Sequence, residues 1–172
     1  MATETLRPNG DGVVACSYVG SSTHYQNVDE ATPSDADYNY VSDTTPYQDT
    51  LNLADSVIGA GAITNVSLRT RLWTGGAGFD TEYVIPKLVV GSVNYNGATR
   101  GSGTSVAEFT DDWASNPAGG AWTWAAINAL QVGYTNCGGN DGKGLLSDGA
   151  VSQQYIIVTY TPLTRSQGCT IG

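Results

Sequence analysis

The sequence predicts an all-β fold, a jelly-roll-like antiparallel β-sandwich with one short helix near residues 123–130. Composition is the first reason. The 172 residues include 22 Gly, 10 Tyr and 4 Trp but only 13% charged side chains, a mixture that favours strands joined by many turns. Periodicity is the second. Stretches of alternating apolar and polar residues recur between Gly, Pro, Asn and Asp clusters, enough for roughly eight or more strands. The third is that a single stretch, 116–133 (NPAGGAWTWAAINALQVG), has helical character. One late helix with long connections favours a jelly roll over an up-and-down barrel. The length suits one domain, which buries roughly 70% of its unfolded surface. The expected boundaries are an N-terminal arm at 1–12, the sandwich at 13–162 and a C-terminal tail at 163–172.

Within the arm, Pro8-Asn9-Gly10-Asp11-Gly12 reads as a turn, and the polar segment before it is expected to be ordered only by pairing with a neighbour. Residues 13–19 (VVACSYV) predict a compact apolar strand, 24–28 (HYQNV) a short one, and 29–37 (DEATPSDAD) a carboxylate-rich loop. Tyr38 and Tyr40 fall on one face of a strand at 38–41, and 47–53 forms another. The clearest alternation is at 63–73: Val66, Leu68, Thr70 and Leu72 face one way, Ser67, Arg69, Arg71 and Trp73 the other. Arg69 and Arg71 are expected in cross-strand ion pairs. Residues 82–95 predict a long strand with Pro86 at an edge or bulge and Gly91 at a bend. Asn96-Gly97 gives the strongest hairpin signal, with 98–106 as the returning strand. Thr123 caps the helix, and Trp124, Ile127 and Leu130 recur every third residue, so with Trp122 they form its structural core contacts. Such a short helix needs the tryptophans buried against the sandwich, as a plug over an open end or edge. A strand follows at 131–136. The stretch 151–161 is apolar on both faces, which places it mid-sheet.

Several function classes are disfavoured. With 7 Lys plus Arg and a formal charge of −9, neither a nucleic-acid backbone nor an anionic membrane surface suits the chain. No apolar run approaches the roughly 18 residues of a membrane span, and residues 1–9 lack the pattern of a signal peptide. Cys16, Cys137 and Cys169 have no disulfide or zinc spacing; Cys16 and Cys137 read as buried thiols, and Cys169 as an exposed thiol or an intermolecular bridge. His24 is the sole histidine, and no Gly-x-Ser-x-Gly elbow accompanies it. Glu82, Glu108, Asp111 and Asp112 could supply a glycosidase acid pair only in a real cleft. No enzyme is expected. No cofactor is expected either, although Asp35/Asp37, Asp111/Asp112 and Asn140/Asp141 are loop oxygens of the type calcium accepts, without EF-hand spacing. Asn65-Val66-Ser67 matches a glycosylation sequon by chance. The half-dozen aromatics Tyr25, Tyr38, Tyr40, Trp73, Tyr83 and Tyr95 lie near strand ends, where such rings serve sugar stacking, subunit contacts or core.

Five blocks taken in order resemble a group of tailed-phage and prophage virion structural proteins: 3–9 (TETLRPN), 25–30 (YQNVDE), 63–71 (ITNVSLRTR), 116–133 and 153–160 (QQYIIVTY). The tryptophan-helix block is the most specific. The resemblance implies a jelly-roll-like sandwich that serves as a structural or decorating part of a virion and supplies no catalytic residues. The expected role is a capsid decoration (cement) or head/tail accessory protein. Its partners would be further copies of itself, as a trimer, and a capsid or other virion protein. Thr3, Glu4, Thr5, Leu6, Arg7 and Pro8 would form the docking arm, and Cys169 would sit in a second one. A self-assembling extracellular filament subunit and a carbohydrate-binding module are the alternatives.

Overall fold

Alternation is carried through into two packed antiparallel sheets. The structure is a computed structural model, and it describes residues 1–41, 45–75, 82–101, 105–138 and 149–163. In chain order the strands are β1 (Ala2–Leu6), β2 (Pro8–Asp11), β3 (Ser17–Val19), β4 (Tyr38–Val41), β5 (Tyr47–Leu53), β6 (Ala62–Trp73), β7 (Tyr83–Val90), β8 (Val93–Asn96) and β9 (Ala107–Trp113). The helix α1 (Trp124–Asn128), β10 (Gln131–Cys137) and β11 (Gly149–Thr161) complete the set. Sheet A runs β3-β4-β11-β6-β9, with β1 also on β11; sheet B runs β2-β5-β10-β7-β8. The antiparallel pairs β4·β11, β5·β10, β6·β9 and β7·β8 are nested in sequence, so the chain is one long hairpin rolled up on itself. That is the strand order of a jelly roll.

The core lies between the sheets. Val66, Leu68 and Leu72 of β6 meet Leu51, Leu88 and Val132 of sheet B, all fully or almost fully buried, as the alternation predicts. β11 is central, flanked by β6 along its length and by β4 and β1 on its other side. At one end α1 closes the sandwich. The Thr123 hydroxyl accepts from Ala126 N, as expected of the N-cap. Trp122, Ile127 and Leu130 are buried, while Trp124 packs on the core from a half-buried position. Both indole N–H groups of this block are satisfied by main chain, Trp122 by Trp113 O and Trp124 by Gly61 O, each at 2.9 Å.

Several expectations are corrected. Residues 1–12 are not a free arm: β1 adds to sheet A, β2 adds to sheet B, and Leu6 and Pro8 are buried. The Pro-Asn-Gly-Asp run forms an edge strand because a register shift between Pro8 and Gly10 absorbs the residue that cannot pair. Glu4 ties β1 down further, accepting from Ser56 Oγ at 2.5 Å and Val57 N at 3.0 Å. Deleting 1–9 would therefore expose β11 and open the core. Residues 13–16 are not strand, and Val13 is 60% exposed. Residues 24–27 form a 3₁₀ turn (His24–Asn27), because Asp11 accepts from the amides of His24 and Tyr25. The hairpin turn is Gly91-Ser92, both at positive φ, rather than Asn96-Gly97. Pro86 is in a central strand, just past the last β7·β8 pair, where Gly97 N donates to Pro86 O at 2.7 Å. Of the expected returning strand 98–106, the described residues show an isolated bridge from Arg100 to Val84. The tail from residue 164 onward, with Cys169, lies outside the described residues.

Candidate functional site

Two polar arrangements stand out, one inside the sandwich and one on the outer face of sheet A. The inner one is built on Asp49, which alternation on β5 turns inward beside Leu51 and Leu53. It is completely buried. Its Oδ1 accepts from the amides of Ala15 (2.8 Å) and Cys16 (3.0 Å), and its Oδ2 from the Tyr134 hydroxyl (3.0 Å). His24 Nδ1 lies 2.7 Å from the same Oδ2, which makes Nδ1 the donor of that pair. Asn39 donates to the Tyr134 oxygen at 2.7 Å and to His24 O at 2.9 Å, and Asn27 donates to Asn39 Oδ1. Three segments, 15–16, the 3₁₀ turn and β10, are thus fastened directly to one carboxylate, and β4 joins them through Asn39.

This constellation has the His–Asp half of a catalytic triad, and among the described residues no hydroxyl or thiol is hydrogen-bonded to the His24 ring. Burial pushes the neighbouring Cys16 thiol far up, and the Asp49 charge adds to that, which favours the protonated form. Tyr134 is likewise pushed up, chiefly by its complete burial. The network is a clamp. Sequence alone missed it, although an Asp on the apolar face of an alternating strand (Asp49, Leu51, Leu53) was the available signal. Cys16 and Cys137 are both buried, as expected.

The outer face of sheet A collects the other candidates. Tyr38, Tyr40 and Trp73 meet edge to face, with centroids 5.8 Å apart for Tyr38–Tyr40 and 4.9 Å for Tyr38–Trp73. Beside them Arg71 grips Asp35 with two prongs, Nε to Oδ1 at 2.8 Å and Nη2 to Oδ2 at 2.5 Å, and Ser152 donates to Asp35 Oδ1 at 2.7 Å. That grip holds the Asp35 carboxyl below its usual range. Further along, Arg69 donates to Glu108 at 3.1 Å, Tyr155 donates to the same carboxylate at 2.8 Å, and the Arg7 guanidinium lies 4.5 Å over the Tyr155 ring. Both predicted ion pairs of Arg69 and Arg71 are present, Arg71 reaching a loop instead of a strand.

Three of the acids considered for glycoside hydrolysis are held by different partners. Glu108 belongs to the Arg69–Tyr155 group, Asp112 to Ser67 and Asn65, and Asp111 to Arg100 and Ala98 N, while Glu82 is buried at the start of β7. Asn65 of the sequon is itself a donor to Ser67 and Asp112. Among the described residues no group of three or more His, Cys, Asp or Glu side chains is arranged to hold a metal ion, and no helix is long and apolar enough to cross a membrane. Asn140 and Asp141 lie outside the described residues. Of the expected docking residues, Thr3 and Thr5 are exposed on β1, Glu4 is committed to residues 56–57, and Arg7 also donates to Glu30 O at 2.6 Å.

One further cluster escaped sequence reading. Burial pushes the Glu30 carboxyl up to about 7, with the charges of Asp37 and Asp29 adding to it. Its main-chain oxygen accepts from both Arg7 and Gln153, so this loop links the residue after β1 to β11.

Fold and site together define an all-β sandwich of jelly-roll order with a clamped interior and an aromatic, ion-paired outer face. Comparison of the chain with protein-family models, with curated proteins and with solved structures finds no match in any of the three.

Proposed function

We propose that the chain is a virion structural protein, a capsid decoration (cement) or head/tail accessory protein, that works through multivalent protein–protein contacts and forms a homo-oligomer. The observation that carries this reading is the edge strand β1. It is paired on one side by β11, and no backbone of the described residues bonds to its other side. Such an edge is a template for a neighbour's strand. Thr3 and Thr5, exposed on it, are the contact residues, whereas Leu6 and Pro8 serve the core. The polar interior supports a structural role as well, since its ionisable groups are spent on mutual clamping. In this reading Cys169 contributes a contact between copies, and the protein resides in the virion.

Light scattering on the purified chain, with and without reductant, tests the proposal. A trimer has a mass of about 54 kDa, three times 17.9 kDa. Replacing Thr3 and Thr5 by lysine places charge on the open edge and should give a folded monomer. A chain that is monomeric and does not add to virion particles would overturn the proposal. So would an oligomer that the double lysine variant leaves unchanged.

A further inference from the structure

The aromatic corner on sheet A has the makings of a ligand site. Ala150 pairs with Tyr40 on one side and Trp73 on the other, so these three residues form one row across β4, β11 and β6, on one face. Neighbouring strands lie about 4.8 Å apart. The two aromatic residues therefore straddle a small residue, and Ala150 is only 1% exposed beneath them. Tyr38, two residues before Tyr40, meets Tyr40 at 61° and Trp73 at 70°, which locks the three rings against one another. A platform fixed before binding loses little side-chain entropy when a ligand arrives.

The polar half of the site adjoins it. Arg71 precedes Trp73 by two residues on the same face and spans β11 to Asp35 and Ser152. The pair is neutral as a unit, yet a guanidinium has five N–H donors, and among the described residues two of them are used here. Donors and acceptors in fixed planes next to ring faces match a pyranose, whose C–H face can lie on an aromatic ring while neighbouring hydroxyls bond to the fork. The ligand's charge follows from the surroundings. Asp35 is in the fork and the chain carries −9, so anionic glycans are repelled. A flat apolar peptide would offer nothing to the remaining Arg71 donors.

We propose that Tyr38, Tyr40, Trp73, Arg71, Asp35 and Ser152 form a binding site for a neutral saccharide. This goes beyond the assembly proposal and is independent of it, because the site is on a sheet face and not at the β1 edge. The test is electrophoresis of the purified chain through gels containing a neutral polysaccharide (galactomannan, xyloglucan or dextran), together with an array of neutral, sialylated and sulfated glycans. The expected result is retardation by at least one neutral polymer and a tenfold or greater loss of affinity in Trp73→Ala and Arg71→Gln. Trp73→Phe, which keeps a ring, and Tyr155→Phe, elsewhere on the face, should retain binding, and matched thermal melts establish that the variants fold. Absence of neutral-glycan binding, binding restricted to charged glycans, or binding indifferent to Trp73→Ala would overturn the proposal. An oligomer that Trp73→Ala dissociates without any glycan bound would overturn it too and assign the rings to a subunit contact. The glycan-binding outcomes do not bear on the Thr3/Thr5 variant, so the two proposals fail separately.

Discussion

Replacing Asp49 by Ala tests the clamp directly. The substitution removes the acceptor of four donors, the amides of Ala15 and Cys16, His24 Nδ1 and the Tyr134 hydroxyl. Ala15 is exposed, so its amide can turn to water at little cost. His24 and Tyr134 are buried, and each is left with an unmet donor costing about 1–3 kcal/mol. The Cys16 amide and the lost packing bring the expected destabilisation to about 3–5 kcal/mol, the range for breaking a buried charged network from one side. A domain of this kind has a total stability of about 5–15 kcal/mol, so the variant should remain folded but marginal. Asp49→Asn should cost less, about 1–3 kcal/mol. Its carbonyl still serves the two amides, but its NH₂ faces a Tyr134 oxygen that already accepts from Asn39. Urea unfolding followed by tryptophan fluorescence gives both numbers. For a slope of about 2 kcal/mol per molar, Asp49→Ala should lower the midpoint by about 2 M. A loss below about 1 kcal/mol for Asp49→Ala, at unchanged slope, would show that water reaches the network and that the clamp does not organise the interior.

Gly133→Ala should be still less tolerated than its small size suggests, because a Cβ there would stand 2.3 Å from Asp49 O, a main-chain atom that cannot step aside; a loss of about 3 kcal/mol or failure to fold is expected in the same urea assay. Thr123→Ala removes the acceptor of Ala126 N and should cost about 1 kcal/mol, measured as a fall in melting temperature of a few degrees. The Glu30 carboxyl should impose a pH dependence of its own. Its pKa is raised in the folded state to about 7 against an ordinary 4.5, so the folded form holds the proton more tightly. Its contribution is present below the ordinary value and is lost as pH rises through 7. Melting temperature should therefore decline between pH 5 and pH 8, and the decline should be smaller in Glu30→Gln; equal slopes in both proteins would refute the assignment.

How far the fold could be read from the sequence depended on whether a segment's local signal agreed with its tertiary surroundings. Alternation at 62–73 places Val66, Leu68, Thr70 and Leu72 inward, and β5 is predicted to the residue at Tyr47–Leu53. The Thr123 cap was legible because capping is local chemistry. The first sixteen residues were not. Pro8, Asn9 and Gly10 carry turn chemistry, but an edge strand with a register shift tolerates all three. The Asn96-Gly97 signal lost to Gly91-Ser92, since hairpin position is set by which residues β7 and β8 can pair, with Val90 opposite Val93. At the candidate site, Tyr38 and Tyr40 could be placed on one face, and so could Arg71 and Trp73. That β11 brings the two pairs together is a property of strand order, which no local pattern encodes. The Asp49 clamp likewise unites residues from five separate stretches of chain.

Nesting of the strand pairs has a consequence for how the protein comes into being. β7 and β8 meet across a two-residue turn, whereas β1 waits for β11, Ala2 pairing with Tyr160. Closing a longer loop costs more entropy, about 0.6 kcal/mol for each doubling of its length. Assembly from the innermost pair outward is thus the least costly route: β7·β8, then β6·β9 and β5·β10, and finally β4 and β1 on β11. On a ribosome the N-terminal strand emerges first and docks last, and until β11 appears, Leu6 has no core to enter. The slow step of folding, on the millisecond-to-second scale of such topologies, would be this final docking. Pulsed hydrogen exchange during refolding should then find the amides of β10 protected before those of β1. The same strand that stands at an edge of sheet A among the described residues is, during synthesis, the last gap to close.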